Sequence, residues 1–360
     1  MTPTVVGERL FAGSCSGSFF AFDRKRGEVL WLYDTSTDGY PANFHGEPLI
    51  TDELIVVGSD VDWVLFPESG TERVEYVYAF EQSSGKVRWK HGATAGVISE
   101  IVRRGETVYG VTKHGELLAL ALADGRLRFS VRTGEGSTDA SIRYSALVHN
   151  DRVIFTGAGN SVVAVNADHG ERVWSRPLET KVNTTLVHSA GSLFVGTLGG
   201  AIYRLDESTG EVTAHYETDG FPYGTPVVLD DSLLTLVGGK SFVRLGTDPP
   251  RVIWEQTTST EWTSFRPVKL GDKVLVGDQD GELLAIDAES GSVSGRWLFA
   301  GGIRGFSVVD GVLYVGTLGG KLYAYPTCDG AERSICLRSA DDSQAQAGQF
   351  QRRGPASPTH

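Results

Sequence analysis

The amino-acid sequence predicts an all-β protein, an eight-bladed β-propeller with four-stranded antiparallel blades. The first observation is a phrase, Ala-x-Asp-x-x-x-Gly-x-x-x-Trp, at residues 21–31, whose Ala, Gly and Trp return at the same spacing in residues 79–89 and 164–174. Degenerate copies begin at Ala119, Arg204, Arg244, Ala285 and Ala324, so the repeat returns about every forty residues. The composition agrees, because 45 Gly and 13 Pro beside many Val, Leu, Tyr and Phe suit short strands joined by tight turns.

Each repeat divides into four predicted strands. The first strand ends at a polar turn, as in Thr225–Asp231, and the second follows at once, as in Ser232–Gly238. The third strand carries the alanine of the phrase, and the fourth begins after the glycine and carries the tryptophan. The alternation in Leu117–Leu120 and in Leu283–Ile286 supports strands, because successive strand side chains point to opposite faces.

The phrase has a local physical explanation. Glycine supplies the positive φ that a tight outer hairpin needs, and the small alanine leaves space for the neighbouring blade. The large aromatic residue then covers the junction between two blades. The predicted docking residues are Trp31, Trp89, Phe129, Trp174 and Trp254, together with Trp297, which lies two residues late in the seventh repeat.

This phrase resembles the tryptophan-docking motif of the PQQ-type, or quinoprotein-dehydrogenase-like, β-propellers, and the resemblance covers residues 3–338. The strands do not end in the Trp-Asp pair of WD40 repeats, and the double-glycine rhythm of kelch repeats is missing. The resemblance implies a ring of eight blades around a central channel. It also implies kinship with three kinds of protein: PQQ-dependent alcohol dehydrogenases, the lipoprotein scaffold of the outer-membrane barrel-assembly machinery, and sensor or ligand-binding domains.

The two ends of the chain carry separate predictions. Residues 1–338 are assigned to the propeller, with the last blade running from Gly305 to about Leu337, and residues 339–360 to a disordered polar tail. No strand exchange between the termini is expected, so blades one and eight would join through side chains. Cys328 and Cys336 flank the last hairpin, and a disulfide between them requires an irregular final strand. Cys15 is interpreted as a small buried hydrophobic residue.

Charge and composition exclude several classes of partner. The formal net charge is −12 and the pI is about 5.2, which argues against a nucleic-acid or anionic-membrane surface. No window of eighteen apolar residues predicts a membrane span, and the first residues do not form a secretion signal. The resemblance nevertheless favours a location outside the cytoplasm, and a monomer is expected.

The long loops suggest where a binding surface lies. In propellers, function usually resides on the face formed by the loops between second and third strands and between successive blades. Three elaborations fall there, at residues 34–45, 59–75 and 132–143. Within them Tyr40, Trp63 and Phe66 are candidates for a contact surface, and the alternative is that they form a small core covering that face.

The channel rim gives a second set of candidates. The positions just before the first strands carry His45, Arg143, Tyr223 and Arg304, and the two arginines belong to opposite blades, four and eight. Tyr144, Trp262 and Arg266 flank the same rim. These residues would form a basic and aromatic funnel for a small anionic or sugar-like ligand. The alternative is that the arginines only hydrogen-bond around a wet channel.

Catalytic and metal-binding patterns are the remaining question that the sequence addresses. A PQQ enzyme needs Ca²⁺ held by oxygen ligands and a catalytic carboxylate, and Glu100 is the nearest rim carboxylate. The eight His do not show metal-ligand spacing, and His149 and His188 occupy equivalent turns, which is interpreted as repeat symmetry. No catalytic residue, no metal and no bound cofactor are therefore predicted, with PQQ and calcium as the alternative.

The predicted function is a non-catalytic scaffold or ligand-binding domain. It would present its loop-decorated face to a protein or to a small-molecule partner. One alternative is a PQQ-dependent oxidoreductase or a degenerate relative of one. The other is a polysaccharide-associated sensor domain, in which Trp63 or Trp262 would stack on a sugar ring.

Overall fold

The computed structural model of the chain is a closed array of eight sheets. It describes residues 1–39, 41–61, 74–93, 95–134, 144–157, 160–229, 231–248, 250–257, 266–326 and 348–349. Each of the eight sheets contains four antiparallel strands that are consecutive in the sequence. The predicted fold class, an eight-bladed β-propeller with four-stranded antiparallel blades, is confirmed.

Sixteen strands form blades one to four. Blade one contains β1 (Thr4–Val6), β2 (Arg9–Gly13), β3 (Ser18–Asp23) and β4 (Val29–Asp34). Blade two contains β5 (Leu49–Ile50), β6 (Leu54–Gly58), β7 (Glu75–Glu81) and β8 (Val87–Ala93). Blade three contains β9 (Val102–Arg104), β10 (Thr107–Val111), β11 (Leu117–Ala121) and β12 (Leu127–Val131). Blade four contains β13 (Ala146–His149), β14 (Arg152–Gly157), β15 (Ser161–Asn166) and β16 (Arg172–Pro177).

The remaining strands form blades five to eight. Blade five contains β17 (Val187–Ser189), β18 (Ser192–Gly196), β19 (Ala201–Asp206) and β20 (Val212–Glu217). Blade six contains β21 (Pro222–Val228), β22 (Ser232–Val237), β23 (Ser241–Thr247) and β24 (Pro250–Thr257). Blade seven contains β25 (Val268–Leu270), β26 (Lys273–Gly277), β27 (Glu282–Asp287) and β28 (Val293–Leu298). Blade eight contains β29 (Ile303–Val309), β30 (Val312–Thr317), β31 (Leu322–Pro326) and β32 (Gly348–Gln349).

The strands of a blade differ in burial according to their position. In blade three, every residue of β10 and β11 is buried, whereas β12 is mostly exposed. The middle strands are apolar on both faces because a neighbouring blade covers each face. A 3₁₀ helix, Thr35–Asp38, follows blade one, and within the described residues no helix is long and apolar enough to cross a membrane.

The docking residues join each blade to the next. The ring of Trp89 lies so close to Gly125 that a β-carbon there would be 2.4 Å from it. The Trp89 Nε1 donates a hydrogen bond of 2.8 Å to the carbonyl of Leu122, three residues before that glycine. The same pair of contacts recurs for Trp31 with Gly85 and Gln82, Trp174 with Gly210 and Glu207, and Trp254 with Gly291 and Ala288. Phe129 covers Gly170 in the same way, without a donor.

Blades five and seven use an aromatic residue two positions later. Ala214 and Gly295 occupy the docking register, opposite Arg204 and Ala285. In blade five the hydroxyl of Tyr216 donates a 2.8 Å hydrogen bond to the carbonyl of Thr247, in blade six. In blade seven Trp297 packs over Gly295 and against a core cluster that includes residues of blade eight. The repeat therefore accepts a docking aromatic in either of two registers.

Side chains connect blade one to blade eight. Arg24 donates through Nε to the hydroxyl of Tyr314 at 2.6 Å and through Nη2 to the carbonyl of Val309 at 3.1 Å. It also forms an ion pair of 2.7 Å with Asp310, and the Ser307 hydroxyl donates to the carbonyl of Pro3 at 2.7 Å. The described sheets contain no strand exchanged between blades one and eight.

The fourth strand of blade eight differs from its predicted place. The sequence predicted a strand ending near Leu337, but the described partner of β31 is β32, in which Gly348 lies opposite Ala324. This is the register in which Gly295 lies opposite Ala285. Cys328 and Cys336 lie outside the described residues, as does most of the predicted tail, so the disulfide and the boundary at residue 338 stay predictions.

Candidate functional site

Two sets of loops share one face of the ring, here called the channel face. They are the loops between second and third strands and the loops between successive blades. Their backbones are hydrogen-bonded to one another, as in Leu318 N to Gly302 O at 2.7 Å and Gly238 N to Phe221 O at 3.0 Å. Because all eight blades are antiparallel, the two remaining sets of hairpin turns lie on the opposite face.

The central channel contains a cavity of about 90 Å³. Its walls come from the residues just before or at the start of the first strands. They include His45, Glu47, Ser99, Glu100, Tyr144, Thr185, Thr225, Arg266 and Arg304. The first strands therefore line the channel, as the resemblance implies.

One arginine crosses this channel. Arg266, just before β25 of blade seven, forms an ion pair with Glu47, just before β5 of blade two. Its guanidinium also lies 3.9 Å from Glu100, just before β9 of blade three, which is opposite blade seven. Burial, with the charge of Glu47, raises the pKa of Glu100, and Arg266 opposes that rise. The channel thus contains an acidic pair bridged by one cation.

A second polar cluster connects the rim of blade one to blade two. His45 Nε2 lies 3.4 Å from Cys15 Sγ, and His45 Nδ1 lies 2.8 Å from Asp60 Oδ1. Lys113 Nζ lies 3.0 Å from the other oxygen of Asp60. Burial lowers the pKa of His45, but its contacts with Asp60 and Cys15 outweigh burial and raise it. Burial likewise raises the pKa of Asp60, and His45 and Lys113 outweigh it.

Cys15 is not the buried hydrophobic residue that the sequence suggested. Its side chain is exposed in the turn between β2 and β3. Cys15 and Arg304 line one surface pocket beside this turn. The hydrogen bond with His45 is the main cause that lowers the pKa of Cys15, and the positive charge of Arg304 adds to it. The Cys15 thiol therefore ionises more readily than the thiol of an ordinary cysteine.

The structure separates the predicted rim residues. His45, Tyr144, Arg266 and Arg304 line the channel. Tyr223 instead packs in a core cluster, and its hydroxyl donates a 3.3 Å hydrogen bond to the carbonyl of Gly239. Tyr40, Trp63, Phe66, Arg143 and Trp262 lie outside the described residues, so the contact surface and the opposed arginine pair stay predictions.

The first predicted elaboration, residues 34–45, is tied down by Asp38. Its carboxylate accepts hydrogen bonds from Tyr33 at 2.7 Å and Tyr78 at 2.8 Å, and it forms an ion pair with Lys90. Burial and the bond to Asp38 raise the pKa of Tyr33 to about 12. This loop is therefore fixed between blades one and two.

Sequence reasoning missed the exposed apolar residues of the channel face. Phe221, Leu298 and Leu318 are exposed by 45%, 69% and 54%, and all three lie in or next to channel-face loops. Single apolar residues in polar turns were the available signal, and no repeat position requires them. They give the channel face three exposed apolar side chains.

The described channel residues do not fit calcium-dependent PQQ chemistry. Calcium takes six to eight oxygen ligands, several of them carboxylates. Among the described wall residues the carboxylates are Glu47 and Glu100, and Arg266 lies against both. A cation placed there would have to displace this guanidinium, so no step through PQQ is derived for this channel.

Comparison with known proteins agrees with this fold. A family model described as "Outer membrane protein assembly factor BamB" matches residues 69–191 and 159–298. The protein of that name from Moranella endobia is 23% identical over 86% of this chain and 81% of its own length. Its counterpart from Yersinia pestis is 21% identical over 81% of this chain and 75% of its own length.

Two solved structures have the same architecture. BamB from Moraxella catarrhalis superposes with a TM-score of 0.72 at 18% identity, covering 90% of this chain and 95% of that one. The computationally designed Ika8 protein superposes with a TM-score of 0.70 at 13% identity and the same coverage. Because the family matches span more than half of the residues, the chain belongs to the PQQ-type repeat family described as outer membrane protein assembly factor BamB.

Proposed function

We propose that this chain is a propeller scaffold that binds a protein partner on its channel face. The observation that carries the proposal is the position of Arg266, which crosses the channel and pairs with Glu47 and Glu100. A small ligand in the channel would have to break these ion pairs. A protein partner on the rim would meet them from outside, beside the exposed side chains of Phe221 and Leu318.

The family supports the same proposal. Its members are named as assembly factors for outer membrane proteins, and such a role requires binding to other proteins. By this likeness the chain works outside the cytoplasm and needs no cofactor. A reporter enzyme fused to the C-terminus of the protein, as expressed in its own cells, would test the location. Reporter activity found only in the cytoplasm would refute a location outside it.

The partner-binding proposal can be tested with surface variants. Phe221→Asp with Leu318→Asp alters the channel face, and Val252→Asp is the matched control, because Val252 is 56% exposed on the outer strand β24. Partners are first identified by chemical crosslinking of the wild-type chain in its own cells. Each candidate is then purified and titrated against the three chains.

We expect the channel-face double variant to weaken binding of the true partner at least tenfold and the control to leave it unchanged. Equal affinity for all three chains would refute the channel face as the binding surface. Dye reduction by the chain supplied with PQQ, Ca²⁺ and an alcohol, at rates lost in Glu100→Gln, would instead establish the oxidoreductase alternative.

A further inference from the structure

Two histidines and a glutamate meet on the face opposite the channel face. His149 ends β13 of blade four, His188 lies in β17 of blade five, and Glu207 lies in the turn after β19. The ligand atoms of all three side chains lie within 4.8 Å of one another. From this arrangement we propose that His149, His188 and Glu207 bind a divalent transition-metal ion such as Zn²⁺ at the junction of blades four and five.

The distances suit a tetrahedral ion. His149 Nε2 lies 3.4 Å from Glu207 Oε2, and His188 Nε2 contacts the same oxygen. Zinc bonds of about 2.0–2.1 Å in a tetrahedral site place neighbouring ligand atoms about 3.4 Å apart. The edge between His149 and Glu207 already has this length, and the contact between His188 and Glu207 has to open.

The glutamate is held in place from its backbone. The amide of Glu207 donates to the carbonyl of Gly191 at 3.2 Å, and its carbonyl accepts from the docking indole of Trp174 at 3.1 Å. Arg152 also reaches this carbonyl at 3.5 Å. The carboxylate therefore starts from a fixed point at the blade junction, which reduces the conformational entropy lost on binding.

Burial and ring geometry point the same way. The side chains of His149, His188 and Glu207 are exposed by 33%, 22% and 25%, so an ion can reach them and yet is partly shielded from water. The two imidazole rings lie 4.3 Å apart, both with Nε2 near one carboxylate oxygen. An imidazole pair with one carboxylate favours zinc, cobalt, nickel or copper over calcium and magnesium, which prefer all-oxygen sites.

The repeat explains how these residues come together. His149 and His188 lie in equivalent hairpins of successive blades but one position apart, since His149 pairs with Arg152 and His188 with Leu193. Because neighbouring blades are adjacent in the ring, the two imidazoles come within 4.3 Å of each other. The sequence interpretation treated this equivalence as symmetry alone. The third ligand comes from the turn that also accepts the docking bond, so the ion would link blade four to blade five.

The test uses the full chain without a histidine tag, stripped with a chelator and dialysed. Titration with Co²⁺, followed by its visible absorption, and titration with Zn²⁺ by calorimetry measure stoichiometry and affinity. The variants are His149→Ala, His188→Ala and the isosteric Glu207→Gln. The matched control is His169→Ala, an exposed histidine 3.9 Å from Glu171 outside the cluster.

We expect one Co²⁺ or Zn²⁺ per wild-type chain and a rise of Tm with added Zn²⁺. His149→Ala and Glu207→Gln should each weaken binding at least tenfold, whereas His169→Ala should leave it unchanged. Circular dichroism spectra and the Tm, both measured in the presence of chelator, show whether each variant is folded. If an alanine variant does not fold, the isosteric Glu207→Gln variant still tests the proposal. No saturable binding to the wild type, or binding unaffected by these variants, would overturn the proposal.

Discussion

The hydroxyl of Tyr216 in blade five donates a 2.8 Å hydrogen bond to the carbonyl of Thr247 in blade six. Thr247 stands three residues before Pro250, just as Leu122 stands three residues before Gly125. Tyr216 therefore performs the docking bond that tryptophan performs elsewhere, although Ala214 occupies the usual position. The hydrogen bond to this carbonyl can therefore be donated by an aromatic side chain in either of two registers.

Replacing Tyr216 should destabilise the junction of blades five and six in two separable steps. Tyr216→Phe removes only the hydrogen bond and should cost about 0.5–1.5 kcal/mol of unfolding free energy. Tyr216→Ala also leaves a cavity in a buried cluster, at a cost of about 3–5 kcal/mol, as for other large aromatic residues. Urea unfolding of the three proteins measures both steps. If the phenylalanine and alanine variants lose equal stability, the side chain does not pack as described.

Arg24 should contribute measurably to closure of the ring. Arg24→Ala removes its bonds to Tyr314, Val309 and Asp310 and should cost about 1–3 kcal/mol, because the Tyr314 hydroxyl loses its buried partner. The control is Arg26→Ala, because the Arg26 side chain is 63% exposed and, among the described residues, forms ion pairs with Asp23 and Glu28, which are close to it in sequence. Equal thermal stability of the two variants would show that blades one and eight do not rely on Arg24.

Asp38 should make stability depend on acid pH. Burial raises the pKa of Asp38, but Lys90, Tyr33 and Tyr78 outweigh burial and hold it below the ordinary 3.8. A carboxyl whose pKa is lower in the folded chain stabilises the fold fully above pH 3.8, and this contribution disappears as pH falls through the folded value. Asp38→Asn should therefore lower the free energy of unfolding at pH 7 and weaken its fall below pH 4. Parallel pH profiles for variant and wild type, measured with urea, would exclude this role.

Cys15 should react with alkylating reagents faster than an unperturbed thiol at neutral pH. Its pKa is lowered chiefly by the hydrogen bond with His45, so His45→Ala should slow the reaction several-fold. Iodoacetamide labelling followed by mass spectrometry of the peptide containing Cys15 gives the rate. Denatured wild-type chain is the reference for an ordinary thiol, and the variant should approach it. A rate unaffected by His45→Ala would contradict the proximity of thiol and imidazole.

The fold was predictable because its information is local and repeated. The glycine, the alanine and the aromatic residue of a phrase specify one hairpin and one junction. Seven junctions of this kind, together with the side-chain contacts between blades eight and one, define the ring. Tyr216 was missed although Trp297, with the same offset of two, was recognised, because a tyrosine in an exposed strand resembles many others. Gly348 opposite Ala324 was not predictable, since β32 follows β31 after 21 residues, whereas the degenerate copy that begins at Ala324 predicts the fourth strand before Leu337.

The site was predictable only as a set of positions. Alignment of the repeats assigned Arg304 to the rim and placed Arg266 beside it, and both line the channel. The pairing of Arg266 with Glu47 joins residues 219 apart in sequence, and it depends on the width of the closed ring. The contact of Cys15 with His45 depends likewise on how two loops fold over the rim, so burial of the cysteine could not be judged from its neighbours.

The docking indoles of four blades, Trp31, Trp89, Trp174 and Trp254, each donate to a carbonyl of the following blade, so the ring has a polarity at these junctions. If the ring is opened directly after one of these blades, the indole of that blade becomes exposed to water. The blade after the break loses only the side chain that covers its glycine. Circular permutants cut at successive junctions should therefore differ in tryptophan fluorescence even where their secondary structure is the same. The direction of chain growth also matches this polarity, because each new blade arrives with the acceptor that its predecessor requires.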